Sequence, residues 1–107
     1  MGENKRFGSI TRVKSDKLEY YKKLHANPWP KVNAMIKECN ISNYSIYYWN
    51  GYLFSYFEYI GDDFEEDMAK MAQDEETQRW WKETDPCQDP ITDVGQWLNI
   101  EEVYHLD

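Results

Sequence analysis

Apolar side chains are most concentrated between residues 41 and 60, where the chain reads ISNYSIYYWNGYLFSYFEYI. Two runs rich in β-branched and aromatic residues flank Asn50-Gly51, a dipeptide that suits the two positive-φ positions of a type I′ turn. The pattern predicts a β-hairpin. Because both runs are apolar at odd and at even positions, both faces of this part of the sheet are apolar, and neither has the polar pattern of a solvent-exposed face.

The rest of the chain alternates between strand-like and helix-like spacing. In chain order we predict a strand at 6–14, a helix in two pieces between Asp16 and Cys39, the hairpin, helices at 62–72 and 74–84, and a strand at 100–106. This order, βαββαβ, is the ferredoxin-like arrangement of an α+β fold, in which helices cover one face of the sheet. With 107 residues, the chain forms one domain over 1–107.

Helix starts are indicated by acidic capping patterns and by proline. The pattern D-x-x-E occurs at 16–19 and again at 63–66, and each predicts a capping box. Between the two pieces of the first helix, Asn27 is expected to cap the second piece, with Pro28 at its first position. Pro30 then falls in the first turn, where a missing N–H costs little.

The helix-free face of the sheet needs a cover, because both hairpin strands are apolar on that side as well. A large apolar patch is a liability on a soluble monomer, so we expect a homodimer with two sheets face to face. A ligand-binding platform is the alternative. The segment NGYLFSYFEY loosely resembles the third strand of RNA-recognition domains, but Asn50 replaces the basic residue and Leu53 replaces a Gly or Ala.

The charge balance narrows the choice of partner. Twenty acidic side chains against twelve basic ones give a net charge of −8. Nucleic acids and anionic membranes are bound through Lys and Arg, so we expect neither as a partner. A neutral or cationic small molecule, or another protein, fits better. The N-terminus MGENKRFGSI lacks an apolar signal region, and no apolar run could span a bilayer, so we expect a cytoplasmic protein.

Few residues have the spacing of a metal or cofactor site. Cys39 and Cys87 lack metal-site spacing; free thiols are the favoured interpretation, and a bridge between them is the alternative. His25 and His105 are far apart in the sequence. The acidic run DDFEED at 62–67 lacks the glycine and spacing of a calcium loop. We therefore expect neither a metal nor a cofactor.

Two sets of residues remain as candidates for chemistry. Tyr21 lies four residues before His25, so both rings share one helical face, and the helix breaks directly afterwards. Adjacent Trp80 and Trp81 point about 100° apart on a helix, so one stripe cannot bury both. One of them could be a core residue and the other partly exposed. Alternatively, both could form an apolar wall for the C–H face of a sugar.

Taken together, these residues resemble the L-rhamnose mutarotase family over nearly the whole chain. The matching segments are YKKLH at 21–25, Trp29-Pro30, NYSIY at 43–47, RWW at 79–81 and EEVYHLD at 101–107. No single one of them is diagnostic, but their order and spacing over about 100 residues are specific. One departure concerns the asparagine after the histidine. Here the chain reads His-Ala-Asn-Pro-Trp-Pro, whereas the family pattern is His-Asn-Pro-x-Trp-Pro.

The resemblance implies a dimeric α/β barrel and an aldose 1-epimerase that works without metal or organic cofactor. Its substrate would be a small neutral monosaccharide, a 6-deoxy sugar whose α and β anomers it interconverts. By the same resemblance His25 is the proton donor, and the substrate contacts are Tyr21, Tyr44, Trp80 and Trp81. L-rhamnose is the expected sugar, and the displaced asparagine keeps L-fucose as an alternative.

The implied reaction is general acid–base ring opening and closure. Histidine suits it because its ordinary pKa, about 6.5, lets it both give and take a proton near neutrality. The group that accepts the proton of the anomeric hydroxyl could be a tyrosine, a water or a carboxylate. A non-catalytic ligand-binding or regulatory module and a monooxygenase of the same superfold are the alternatives from other classes.

Overall fold

An antiparallel sheet with helices on one side forms the domain, and a computed structural model describes it over residues 5–107. The strands are β1 Lys5–Val13, β2 Ile41–Trp49, β3 Tyr52–Tyr59, β4 Gln88–Asp89 and β5 Leu98–Ile100. The helices are α1 Leu18–Ala26, α2 Pro30–Glu38, α3 Phe64–Ala72 and α4 Glu75–Thr84, with a 3₁₀ turn at Asp85–Cys87. The predicted α+β class and ferredoxin-like βαββαβ order are confirmed.

The sheet order is β2-β3-β1-β4, and β5 also pairs with β1. Gln88 lies opposite Val13, and Ile100 lies opposite Gly8, so β4 and β5 occupy successive stretches of the same edge of β1. They act as one edge strand interrupted by a loop. The sequence pattern predicts no strand at β4, and the structure gives it two ladder pairs with β1.

The predicted last strand exists, but it spans Leu98–Ile100 and not 100–106, because regular pairing ends at Ile100. Two glutamates follow it, and glutamate is depleted in strands. The chain stays on β1 through side chains instead: Glu102 accepts two hydrogen bonds from the guanidinium of Arg6, at 2.8 and 2.9 Å. The tail therefore follows the sheet without joining its ladder.

The break between α1 and α2 also differs from the expectation. Asn27 does not cap α2; it ends α1, and its N–H donates to the carbonyl of Leu24 at 3.3 Å. A residue before proline is pushed out of the helical region, and Trp29 is extended (φ −76°, ψ 123°) before Pro30. Pro30, and not Pro28, is thus the first helical residue of α2.

Of the two predicted capping boxes, only the second has a capping side chain. Asp63 accepts from the N–H of Glu66 at 3.1 Å and starts α3. At the start of α1 the expectation was wrong. A turn from Lys14 to Lys17, closed by a 2.9 Å hydrogen bond, takes up Asp16, and the helix begins one residue after Lys17 without a side-chain cap.

The hairpin is confirmed, with Asn50 (φ 49°) and Gly51 (φ 87°) in its turn. A bulge interrupts β2 between Ser42 and Ser45, where Asn43 takes a φ of 51°. Strand side chains alternate between faces, so an unbroken β2 would send Ile41 and Tyr44 to opposite sides. The bulge brings both to the helix side of the sheet.

The core lies between the sheet and the helices. One buried cluster joins Val13, Tyr21, Leu53 and Cys87, and the other joins Cys39, Ile41, Tyr59 and Met71. Cys39 and Cys87 are buried and free, as favoured from the sequence. Within residues 5–107 no helix is both long and apolar enough to cross a membrane.

The opposite side of the sheet, here called the open face, carries no helix. It presents alternate side chains of the strands: Ile10, Trp49, Phe54, Tyr56, Leu98 and Ile100. Trp49 is 66 % exposed and Ile100 is 45 % exposed. The apolar second face predicted for the hairpin is therefore present, and within this single chain it is in contact with solvent.

Candidate active site

A cavity of about 760 Å³ opens between the helix side of the sheet and helices α1, α2, α3 and α4. Its lining includes every residue that the sequence proposed for the site: Tyr21, His25, Tyr44, Trp80 and Trp81. These residues come from three separate elements, α1, β2 and α4. The fold thus brings them together around one space large enough for a small ligand.

His25 is oriented by the helix that carries it. Its Nδ1 lies 2.8 Å from the main-chain carbonyl oxygen of Tyr21, which can only accept a hydrogen bond, so Nδ1 carries a proton. In the neutral ring Nε2 then holds the free lone pair. Burial lowers the pKa of His25, and the bond to Tyr21 opposes this only in part. The cavity therefore holds a predominantly neutral imidazole whose Nε2 can exchange a proton.

Aromatic rings surround this imidazole. Its ring centroid is 4.3 Å from that of Tyr21 and 5.2 Å from that of Trp80, which meets it edge-on. Trp80 also meets Trp29 edge-on at 5.2 Å. Since the residue before Pro30 is held extended, the helix break fixes Trp29 as the support behind Trp80.

Both interpretations of the Trp80-Trp81 pair agree with the structure. Trp80 is 8 % exposed and packs in the core, whereas Trp81 is 37 % exposed. Both nevertheless line the cavity. The pair is thus a core residue and a partly exposed residue that together form an apolar wall.

Tyr21 and Tyr44 supply hydroxyl groups to the same space. Tyr21 is buried, and its hydroxyl oxygen accepts a hydrogen bond from Gln88 at 3.3 Å. Burial raises the pKa of Tyr21 and that of Tyr44, so both phenols stay neutral around pH 7. The Tyr44 ring contacts Phe57 edge-on at 5.7 Å, which holds it on the helix side after the bulge.

The polar residues of the cavity that were not predicted from the sequence include Asp85, Gln88 and Gln96. Within residues 5–107, Asp85 is the single carboxylate of the lining, and burial raises its pKa. Asp85 follows Trp81 by four residues at the end of α4, and this i, i+4 spacing could have indicated it. Gln88 and Gln96 carry no local pattern that marks them.

No lining residue of the described chain suggests a metal site. Across residues 5–107 no group of three or more His, Cys, Asp or Glu side chains lies close enough to hold a metal ion. Apart from His25, the lining offers Asp85 and Lys22 as ionisable groups of opposite sign, together with phenols and amides. This set is suited to hydrogen bonding and proton transfer.

Comparison with known proteins identifies the family. The family model for L-rhamnose mutarotase matches residues 6–106. An L-rhamnose mutarotase of Bacillus subtilis is 39% identical, with 96% of this chain and 99% of the relative covered. One of Oceanobacillus iheyensis is 37% identical over the same shares.

The fold has a matching crystal structure as well. The L-rhamnose mutarotase of Formosa agariphila superposes with a TM-score of 0.74 at 20% identity, covering 96% of this chain and 99% of that one. At this identity the likeness supports the fold, and the family rests on the sequence matches. Both agree with the resemblance drawn from the residues, and the chain belongs to the L-rhamnose mutarotase family.

Proposed function

We propose that this protein interconverts the α and β anomers of L-rhamnose. The observation that carries the proposal is the position of His25, which is tethered through Nδ1 and lies beside Tyr21 and Trp80 in one cavity. The relatives named L-rhamnose mutarotase, up to 39% identical over almost the full chain, support the choice of reaction and sugar. A neutral substrate also fits a lining whose described residues include no arginine.

The chemistry needs one proton donor and one acceptor. In the proposed step the anomeric O–H gives its proton to Asp85, and His25, after taking up a proton from solvent on Nε2, gives that proton to the ring oxygen. The C1–O5 bond breaks, and the anomeric oxygen becomes the aldehyde oxygen. After rotation about C1–C2, the reverse transfers close the ring on the other face of the carbonyl and restore both side chains.

Burial favours this exchange because it acts on the two groups in opposite senses. It lowers the pKa of His25 and raises the pKa of Asp85. The two shifts therefore bring the pKa of the acid and that of the base closer together, which suits proton transfer in both directions. Of the acceptors left open by the sequence, the carboxylate is the one we select.

The remaining cavity residues would bind the sugar. The hydroxyls of Tyr21 and Tyr44 would form hydrogen bonds with sugar oxygens, and the wall of Trp80 and Trp81 would pack against the C–H face and the C6 methyl group. Asn27 is absent from the lining and its amide lies 3.5 Å from the carbonyl of Lys23. The displaced asparagine therefore gives no reason to prefer L-fucose over L-rhamnose.

The proposal includes a homodimer joined through the open face. Trp49 and Ile100 leave apolar area exposed there, and such a patch is best covered by a second copy. No nucleic-acid or membrane partner is proposed, in keeping with the charge of −8. The expected cytoplasmic location stays a prediction.

Saturation-transfer NMR tests the reaction directly. Exchange between the anomers of L-rhamnose is measured with and without the protein, and L-fucose and D-glucose are measured in parallel. We expect strong acceleration for L-rhamnose and little for D-glucose, which carries a C6 hydroxyl in place of the methyl group. Equal rates with and without the protein for every sugar would contradict the proposed function.

A further inference from the structure

Three hydrogen bonds link the end of α4 to the Tyr21 hydroxyl. Gln96 Nε2 lies 3.3 Å from the main-chain oxygen of Asp85 and 2.9 Å from Gln88 Oε1. Gln88 Nε2 lies 3.3 Å from the hydroxyl oxygen of Tyr21. Gln88 and Tyr21 are each 4 % exposed, so water has little access to the last bond.

One atom sets the direction of all three bonds. The carbonyl oxygen of Asp85 can only accept, so Gln96 must turn its amide nitrogen toward it. The second hydrogen of that nitrogen goes to Gln88, which must therefore present its amide oxygen. The amide nitrogen of Gln88 then faces Tyr21, and the tyrosine oxygen has to accept.

This arrangement leaves the hydrogen of the Tyr21 hydroxyl free to be donated. A phenol has one hydrogen, and an oxygen that accepts from Gln88 keeps that hydrogen for another partner. Tyr21 lines the cavity, and burial raises its pKa, so the hydrogen is retained around neutral pH. The partner for this hydrogen is therefore a group inside the cavity that has a free lone pair.

Building on the proposed function, we propose that Gln88, held by Gln96, is a positioning residue that fixes Tyr21 as a hydrogen-bond donor to an oxygen of the sugar. The selected ligand carries a hydroxyl or ring oxygen opposite Tyr21.

Gln88→Glu tests this because it replaces the amide donor that faces Tyr21 with an acceptor and leaves the size of the side chain almost unaltered. Both carboxylate oxygens can only accept hydrogen bonds. One would still accept from the Gln96 amide, and the other would accept from the Tyr21 hydroxyl. The sugar then loses one hydrogen bond. We expect KM for L-rhamnose exchange to rise about tenfold with kcat nearly unchanged. Gln73→Glu, the same change at an exposed residue outside the cavity, should leave KM as it is.

A double-mutant cycle separates positioning from a structural effect. In a Tyr21→Phe background there is no hydrogen to withdraw, so Gln88→Glu should change KM by less than about twofold. The same rise in KM in both backgrounds, or a wild-type KM for Gln88→Glu, would overturn the role of Gln88. If the wild type itself accelerates no anomer exchange, the proposed function fails and this inference fails with it.

Should Gln88→Glu not fold, as judged by circular dichroism, Gln96→Met provides the second route. Gln96 is only half-buried, and its loss frees the Gln88 amide to turn over. We expect KM to rise about threefold with Tyr21 present and to stay constant in the Tyr21→Phe background. A rise of equal size in both backgrounds would again overturn the proposal.

Discussion

The Nδ1–H of His25 donates to the main-chain carbonyl of Tyr21, one helical turn earlier, at 2.8 Å. Because the acceptor belongs to the backbone, the tautomer of His25 depends on the fold of α1 and not on another side chain. The imidazole is fixed by the last full turn of α1, and the break that follows leaves its ring beside the cavity.

Burial of His25 predicts a dependence of stability on pH. Because burial lowers the pKa of this residue, the unfolded chain, with a pKa near 6.5, binds a proton more readily than the folded one. Stability should therefore fall as the pH drops from about 6.5 through the folded pKa. Urea unfolding at pH 7.5 and pH 5 should show a smaller loss for His25→Gln than for wild type. An equal loss would contradict the assignment.

Asp85→Asn should slow anomer exchange because the amide cannot accept the proton of the anomeric hydroxyl. General acid–base catalysis contributes on the order of 10²- to 10⁴-fold, and we expect a loss in kcat within that range. Asp93→Asn removes the same charge from an exposed residue outside the cavity and serves as the control. If the two variants keep the same rate, a water or a tyrosine, and not Asp85, is the acceptor.

Substitutions at the two adjacent tryptophans should have different effects, one mainly on the free energy of unfolding and the other mainly on sugar binding. Trp80 is 8 % exposed, so Trp80→Ala should cost about 3–5 kcal/mol of unfolding free energy. Trp81 is partly exposed, so Trp81→Ala should cost much less stability and instead raise KM for the sugar. Urea titrations and concentration-dependent exchange rates measure the two effects. Similar losses of stability in both variants would contradict the division into a core and a partly exposed tryptophan, and an unchanged KM for Trp81→Ala would argue against the wall.

A charge introduced on the open face should disrupt the proposed dimer. Trp49→Glu places a carboxylate among exposed apolar side chains and should convert the proposed dimer to a monomer in sedimentation velocity. Val94→Glu, at an 88 % exposed residue in the loop before β5, should leave the dimer intact. A wild type that sediments as a monomer would remove the homodimer from the account.

Local patterns predicted the hairpin well because its turn has a strict requirement. Asn50 and Gly51 both adopt positive φ, and few other dipeptides tolerate this. The bulge at Asn43 has no comparable local marker. The bulge places Ile41 in the core and Tyr44 in the cavity on one face of the sheet. This requirement comes from the tertiary structure, so local residue propensities do not predict it.

The candidate site was predictable to the extent that it rested on spacing within one element or on family resemblance. Tyr21 and His25 share a helical face, the adjacent Trp80 and Trp81 cannot both be buried by one stripe, and the resemblance added Tyr44. Gln88 was missed because its role arises from an edge strand of two residues, too short to read from sequence. Its hydrogen bond to Tyr21 spans 67 positions of the chain, and only the folded sheet brings the two together.

Anomer exchange in L-rhamnose, followed by saturation-transfer NMR for wild type and His25→Gln, tests the central claim most directly. His105→Gln, at a histidine that pairs with Asp107 on the exposed tail, is the matched control. We predict strong acceleration by wild type and His105→Gln, and a loss of about 10²- to 10⁴-fold for His25→Gln. Undiminished exchange with His25→Gln would contradict the account.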